Sequence, residues 1–346
     1  MDRLLANGLV PLIVLLLAIG RVGAQDIHYT QFYNAPEILN PALTGIFYGD
    51  VRMMGHFRRQ WENVPVDYLT FSGTYDMKVY PKKAKGNDFF GFGLNFNYDN
   101  TGFSKLTLAQ LQLGGSYSKE LAKNAFLTGG VQLGFSSRRF KEGDLTFDNQ
   151  FDPIRNIYDP SLATGENFDN TSEFYPDLSI GANLRLQKDD RRTKLDFGVG
   201  LYHLNAPKQE FFDDGGQKLP SRFSIYALGA LKLAGPLDLL LRGQAQFQSS
   251  YRAYVPGAAL KIYLNQNRGK ELAFQVGANF RLNAFTDAIT PTVELHYKTL
   301  SVGYSYDINV SDFQIATDDR GGPEIWVAYR IVKVKPLSQF KTCPIF

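Results

Sequence analysis

The chain has 346 residues, with 37 Lys+Arg against 34 Asp+Glu and a formal net charge of +3. This near balance argues against a nucleic-acid partner held by a basic surface, and 44% hydrophobic with 21% charged residues argues against a mainly disordered chain. The 27 phenylalanines, 19 tyrosines and 32 glycines favour strands and tight turns over helices.

The first predicted element is a targeting segment. Arg3 precedes an apolar run from Leu9 to Ile19, and residues 22–24 place small or modest side chains at a cleavage position. The alternative is a membrane-spanning helix, but the run is shorter than the roughly 20 residues that such a helix needs. We therefore predict a signal peptide over residues 1–24, cleavage before Gln25 and export of the protein.

The second predicted element, residues 25–50, is rich in Tyr, Asn and Pro and does not alternate between apolar and polar residues. It is predicted either to contact a periplasmic partner or to plug the interior of the fold that follows. The candidate partner-binding residues in this segment are Tyr29, Phe32, Tyr33, Asn40 and Pro41.

From residue 51 onward the sequence repeatedly alternates with a period of two. Residues 90–98, for example, place Phe, Phe, Leu, Phe and Tyr on one face and Gly and Asn on the other, as in a strand with one apolar face. About fourteen such runs lie near residues 51–61, 67–77, 88–98, 107–118, 124–138, 174–187, 193–204, 220–234, 236–248, 253–264, 271–283, 288–297, 299–307 and 323–333.

An even number of alternating strands behind an export signal predicts an all-β fold, a transmembrane outer-membrane β-barrel over residues 51–333. Lipid offers no water to backbone groups, so the strands must close on themselves, with apolar side chains toward lipid and polar ones toward the lumen. A soluble two-sheet sandwich is the alternative, because its strands alternate as well.

Connector lengths support the barrel. The three longest predicted connectors, near residues 139–173, 205–219 and 308–322, follow strands five, seven and thirteen and so lie on one side. Bacterial barrels have short periplasmic turns and longer extracellular loops, so we assign these three to the outside. The loop from Lys141 to Glu173 is a candidate for holding a surface protein; the alternative is a solvated loop folded over the barrel mouth.

Residues 334–346 are predicted to form a C-terminal periplasmic tail. They contain the only cysteine, Cys343, which excludes an internal disulfide and a cysteine-based zinc cluster.

We predict no catalytic, cofactor-binding or metal-binding residues. The four histidines, His28, His56, His203 and His296, lie far apart in sequence, and none has ligand spacing to another. A hydrolase that pairs His296 with Ser301 or Ser305 stays open, because geometry and not chain order defines a catalytic triad.

The stretch from Asp26 to Gly45, Asp-Ile-His-Tyr-Thr-Gln-Phe-Tyr-Asn-Ala-Pro-Glu-Ile-Leu-Asn-Pro-Ala-Leu-Thr-Gly, resembles the opening of the PorP/SprF family. These are outer-membrane proteins tied to type IX secretion and gliding motility in Bacteroidetes. Further matching motifs follow in order: Arg58-Arg59-Gln60-Trp61, Tyr75-Asp76, Asp99-Asn100-Thr101-Gly102, Tyr175-Pro176-Asp177, Tyr202-His203-Leu204-Asn205-Ala206-Pro207, Tyr306-Asp307, Gly322-Pro323-Glu324-Ile325 and Cys343-Pro344-Ile345-Phe346.

The resemblance implies a non-enzymatic barrel without a cofactor, which supports export or surface attachment of a large adhesin or other type IX substrate with a C-terminal sorting domain. It implies periplasmic components of the machine as partners, in addition to outer-membrane lipid. His203, Leu204 and Pro207 join the candidate partner-binding residues through their motif. The alternative function is a passive channel or hydrophobic-solute transporter, because a polar inner face also suits an open lumen.

Overall fold

The computed structural model describes residues 26–333 except 63, 65–66, 82–86, 167–169, 190–191, 210, 212–216, 284–287 and 312–313. The predicted signal peptide and the predicted tail with Cys343 lie outside the described residues. Almost all regular structure in the described ranges is β-strand.

Fourteen antiparallel strands close into one barrel, in which each strand pairs with its neighbours along the chain and the last pairs with the first. The strands are β1 (Val51–Gln60), β2 (Tyr68–Val79), β3 (Phe89–Thr101), β4 (Leu106–Ala122), β5 (Ala125–Arg139), β6 (Ser172–Gln187), β7 (Lys194–Tyr202), β8 (Arg222–Ala234), β9 (Leu237–Gln248), β10 (Tyr251–Asn265), β11 (Leu272–Asn283), β12 (Ala288–Tyr297), β13 (Leu300–Asn309) and β14 (Arg320–Ile331). The predicted barrel is confirmed, and the predicted strand bounds agree to within a few residues.

The other elements are short. They are α1 (Pro36–Leu39) and α2 (Gln314–Thr317), the 3-10 turns Phe32–Asn34, Pro41–Leu43, Glu142–Asp144 and Asp148–Gln150, and a small hairpin of Phe151–Asp152 with Ile157–Tyr158. None of the helices in the described residues has the length and apolarity to cross a bilayer.

The barrel wall is apolar outside and polar inside. On β3, Phe92 and Leu94 are 50% and 41% exposed, whereas Asn95 and Asn97 are buried in the lumen. Such an exposed apolar belt around a closed wall is favourable in lipid, and the closed wall excludes the sandwich alternative.

The two ends of the barrel differ. Because consecutive strands are antiparallel, the long connectors 140–171, 203–221 and 310–319 lie at one end, as predicted from their lengths. We call this the long-loop end. The opposite short-turn end carries tight connectors such as Gly235–Pro236 and Lys298–Thr299.

The apolar core of the molecule lies inside the lumen. Phe32, Leu39, Leu43 and Ile46 precede β1, and they pack against side chains from three strands. These wall residues are Phe89, Tyr226 and Val255. A barrel of this size has room inside for such a segment, since its diameter grows with strand number.

Candidate functional site

The N-terminal segment, residues 26–50, runs through the lumen from the long-loop end to the short-turn end. At the long-loop end, the carboxylate of Asp26 lies 2.6 Å from Nε2 of His203. Toward the other end, the backbone N–H of Gly45 donates to Asp76 of β2 at 2.8 Å. The segment then leads directly into β1 at the short-turn end.

Glu324 of β14 fixes the path of this segment. Its two carboxylate oxygens accept the backbone N–H groups of Thr30 and Gln31, each at 2.9 Å. The side-chain oxygen of Gln31 also accepts a hydrogen bond from Nε1 of Trp326 at 2.7 Å. A charged acceptor binds two successive backbone donors, and such bonds are strong. They fix the position of Thr30 and Gln31 relative to β14.

Asp307 of β13 is the centre of a buried charge network. Its Oδ2 accepts hydrogen bonds from Arg58 and Arg281, both at 2.8 Å, and its Oδ1 accepts the hydroxyl of Thr290 at 2.8 Å. Arg281 also donates to the hydroxyl of Thr30 in the N-terminal segment at 2.8 Å. None of the three charged side chains is more than 4% exposed, so each charge depends on its partners.

Glycine stands where the N-terminal segment lies closest to the wall. Gly130 of β5 faces the lumen, and a Cβ at this position would lie 2.5 Å from the backbone of Pro41 and Ala42. A Cβ on Gly181 of β6 would overlap the side chain of Asn40. The missing side chains therefore provide the space that the Asn-Pro turn occupies.

His203 holds the outer end of the N-terminal segment. It follows β7 with a positive φ of 57°, and its Nδ1 lies 3.0 Å from Asp177 while its Nε2 faces Asp26. Burial lowers the pKa of His203, but the charges and hydrogen bonds of Asp26 and Asp177 outweigh burial and raise the pKa to about 9. The imidazole is therefore a cation at neutral pH, and Arg222 adds a second positive charge 3.4 Å from Asp26.

We expect this ion pair to lose its contribution to stability at alkaline pH. Because folding raises the pKa of His203 from 6.5 to about 9, the stabilisation is fully present below pH 6.5 and is lost as the pH rises through about 9. The check is the unfolding midpoint of the wild type and of His203→Gln in detergent micelles across this range. The advantage of the wild type should be largest at the acidic end, and a difference that is constant with pH would contradict a charged clamp.

The predicted partner-binding residues of the N-terminal segment contact the wall. These residues are Tyr29, Phe32, Tyr33, Asn40 and Pro41. The hydroxyl of Tyr29 lies 2.7 Å from Ser72, and that of Tyr33 donates to Glu294 at 2.9 Å. Tyr29, Phe32 and Asn40 are at most 3% exposed. In this arrangement they fill the lumen, and contact with a partner stays a prediction.

The structure separates the three candidates after β7. His203 reaches the N-terminal segment and is buried, and Pro207 is buried within the loop. Leu204 lies at the surface of the long-loop end with 40% exposure. Of these three, Leu204 is the one whose side chain is open to a partner.

Sequence reasoning missed the roles of Arg58, Arg281, Asp307 and Glu324. Three of these four residues stand in the motifs that carry the family resemblance. The sequence signal for these roles is a charged residue at an inward-facing position of a strand. Burying such a charge costs free energy unless an opposite charge or hydrogen-bond partner lies nearby.

Two side chains of the hydrolase alternative, His296 and Ser301, come together in the lumen beside Glu294. Nδ1 of His296 lies 2.9 Å from Oγ of Ser301, and its Nε2 lies 3.4 Å from Glu294. Ser301 also accepts a hydrogen bond from Arg330 at 3.0 Å, and Ser305 bonds to the N-terminal segment instead. A nucleophile must reach a substrate carbonyl, and the side chain of Ser301 is only 2% exposed.

Small cavities lie between the N-terminal segment and the wall. Two cavities, one beside Phe32 and Gln244 and the other beside Asp26 and Tyr202, each have room for about one water molecule. In the part of the chain that the structure describes, no three His, Cys, Asp or Glu side chains are grouped so as to hold a metal ion.

Comparisons with known proteins agree with this architecture. The model of the family described as type IX secretion system membrane protein PorP/SprF matches residues 22–329. No curated protein sequence matches the chain significantly.

The chain is also similar to solved barrels. It resembles the Ralstonia pickettii toluene transporter TbuX with a TM-score of 0.51 and 11% identity, over 86% of this chain and 92% of that one. It resembles the CymD monoaromatic hydrocarbon channel with a TM-score of 0.50 and 8% identity, over 87% of this chain and 93% of that one. At sequence identities this low, the likeness shows a shared fold and nothing about function. The fold, the family match and the lipid-facing wall together place the protein in the outer membrane.

Proposed function

Because the chain belongs to the PorP/SprF family of type IX secretion system membrane proteins, we propose that it is a non-enzymatic barrel that acts on a protein of the cell surface. In this role it supports the export or cell-surface attachment of a large adhesin-like substrate with a C-terminal sorting domain. Its periplasmic side contacts other components of the machine.

The observation that carries this proposal is an apolar hairpin at the long-loop end. Phe151, Ile154, Ile157 and Tyr158 are all exposed, and Ile154 is 94% exposed. They lie in the 140–171 connector and not on the strands that face lipid. A cluster of large apolar side chains in water favours contact with another protein.

Copurification is the direct test of the proposal. The tagged protein would be isolated in mild detergent from its own outer membrane, and its partners identified by mass spectrometry. We expect a very large surface protein, or periplasmic components of the secretion machine. Reproducible recovery of the barrel alone would contradict the proposal.

Charge in the apolar hairpin should release the surface protein. We expect Ile154→Asp with Ile157→Asp to lower the cell-surface amount of the copurifying protein at least about ten-fold, because buried apolar anchors dominate interface energetics. The measurement is surface labelling, with the barrel quantified in the same membranes.

Gly143→Asp is the matched control for this prediction. It adds an acid to the same connector at an exposed position where a new Cβ meets no atom within 4 Å. Its surface protein should stay at the wild-type level. An equal loss in both variants, or no loss in either, would contradict a docking role of the hairpin.

A solute channel is the second candidate function. The similar structures are described as a toluene transporter and a hydrocarbon channel, and a barrel of fourteen strands is wide enough for a pore. The N-terminal segment, however, occupies the lumen and hydrogen bonds to its wall. We rank the channel second, and steady ion conductance of the purified wild type in planar bilayers would reverse this order.

A further inference from the structure

Besides Arg52, which is paired with Asp76, five partly buried cationic side chains face the lumen near the short-turn end. They come from five different strands and are Lys78 on β2, Arg185 on β6, Lys194 on β7, Lys261 on β10 and Arg330 on β14. We call them the cationic ring. Each is partly buried, while its neighbours along the strand belong to the outward face.

The members of the cationic ring are close enough to repel one another. Lys194 lies within electrostatic range of Arg185 and Arg330, and Lys261 within range of Lys194 and Arg330. Lys78 lies within range of Arg185. Several positive charges in one enclosed space make that space favourable for an anion.

Three of the carboxylates near the cationic ring have close partners. Asp76 pairs with Arg52 at 2.6 Å, and Asp196 pairs with Arg185 at 2.8 Å. Asp238 pairs with Arg192 of a short turn at 2.5 Å.

The remaining four members lack such a carboxylate. Among the described residues, Lys78, Lys194, Lys261 and Arg330 have no carboxylate oxygen within 4.0 Å. Lys78 binds the backbone carbonyl of Phe47, and Arg330 binds the hydroxyl of Ser301. These acceptors are neutral, so none of the four cations is held in a close ion pair, although Asp50, Asp76, Asp196, Asp238 and Glu294 lie within longer electrostatic range of the three lysines.

We propose that the cationic ring binds an acidic peptide segment of a partner that enters the lumen from the short-turn end. A chain that enters along the barrel axis can set carboxylates against lysine and arginine in charge-assisted hydrogen bonds. A lipid headgroup is disfavoured, because its acyl chains lie outside the wall while the ring lies inside it. Short turns face the periplasm in bacterial barrels, so the partner is a periplasmic protein.

This inference rests on the proposed function in one respect only, namely that the acidic peptide belongs to a periplasmic protein of the secretion machine. Binding to the cationic ring concerns the short-turn end, whereas the surface protein is proposed to dock at the long-loop end. Peptide binding by the purified barrel and surface display in cells can therefore fail independently.

A labelled hexaglutamate peptide tests the cationic ring. The full-length protein in detergent micelles would be titrated against the peptide by fluorescence anisotropy at low and at moderate salt. We expect binding that weakens with salt, and at least about ten-fold weaker binding for Lys194→Gln with Lys261→Gln. Removing like charges should not impair folding, which the unfolding midpoint would check.

Lys270→Gln with Lys298→Gln is the matched control. It removes the same charge from exposed turns at the same end of the barrel but outside the lumen. Its affinity should stay within about two-fold of the wild type, since exposed charges are strongly screened. The proposal is overturned if the wild type does not bind hexaglutamate, or if both double variants weaken equally. It is also overturned if inorganic phosphate displaces the peptide at equal concentration, which would assign the ring to a small free anion.

Discussion

Asp307→Asn should lower the free energy of unfolding by about 3–5 kcal/mol, because it leaves the guanidinium groups of Arg58 and Arg281 buried without their anion. Both groups donate to Asp307 at 2.8 Å, and both side chains are at most 4% exposed. Asparagine keeps the size of the side chain, so the loss reports charge and not packing. Urea unfolding in detergent micelles would measure it.

Two further variants make this prediction specific. Asp318→Asn removes an exposed carboxylate whose partner Arg320 is also exposed, so the free energy of unfolding should change by less than about 0.5 kcal/mol. Adding Arg281→Gln to Asp307→Asn removes one of the stranded charges and should recover part of the loss. A loss for Asp307→Asn no larger than for Asp318→Asn would contradict the buried network.

Gly130→Val should displace the N-terminal segment and open the lumen to ions. A valine at this position collides with the backbone of Pro41 and Ala42, which would lie 2.5 Å from its Cβ. A side chain could relieve such a collision by changing its rotamer, but the backbone of Pro41 and Ala42 cannot. The N-terminal segment must therefore move. Overpacking of this kind typically costs about 1–3 kcal/mol. We expect ion conductance at least about ten-fold above the wild type in planar bilayers, because an emptied barrel of this size is a water-filled pore.

The adjacent glycine is the matched control for the opened lumen. Gly129 precedes Gly130 on β5 but points outward, and a Cβ there meets no atom within 4 Å. Gly129→Val should therefore leave conductance at the wild-type level. Limited proteolysis gives a second readout, because a displaced segment exposes cleavage sites between residues 26 and 50. Conductance that is unchanged in Gly130→Val, together with a protected segment, would refute the close fit.

Five of the motifs that resemble the PorP/SprF family meet the opening motif inside the barrel. The wall-side residues Asp76, Asp177, His203, Asp307 and Glu324 all come from these motifs. Each is buried and faces the lumen, and together they hold the opening motif along its length. These five motifs and the opening motif contact one another in the folded protein, which gives a physical reason for their occurrence in one chain.

The order and approximate bounds of the strands followed from the sequence because alternation is a local property. Residues 90–98 showed their two faces without any knowledge of the neighbouring strand. Counting the strands assigns the long connectors to one end, since antiparallel strands reverse direction at each turn. The same data leave open whether residues 25–50 plug the lumen or contact a periplasmic partner.

The sequence by itself determined that this protein is a lipid-facing barrel of antiparallel strands with long loops at one end, because period-two alternation and connector length are read along the chain. Only the tertiary structure decided that the N-terminal segment fills the lumen and that Asp307, Glu324 and His203 hold it there. The reason is distance along the chain: Thr30 and Glu324 are 294 residues apart. Closure of the wall brings them together, and no local pattern records which inward-facing charge meets which partner.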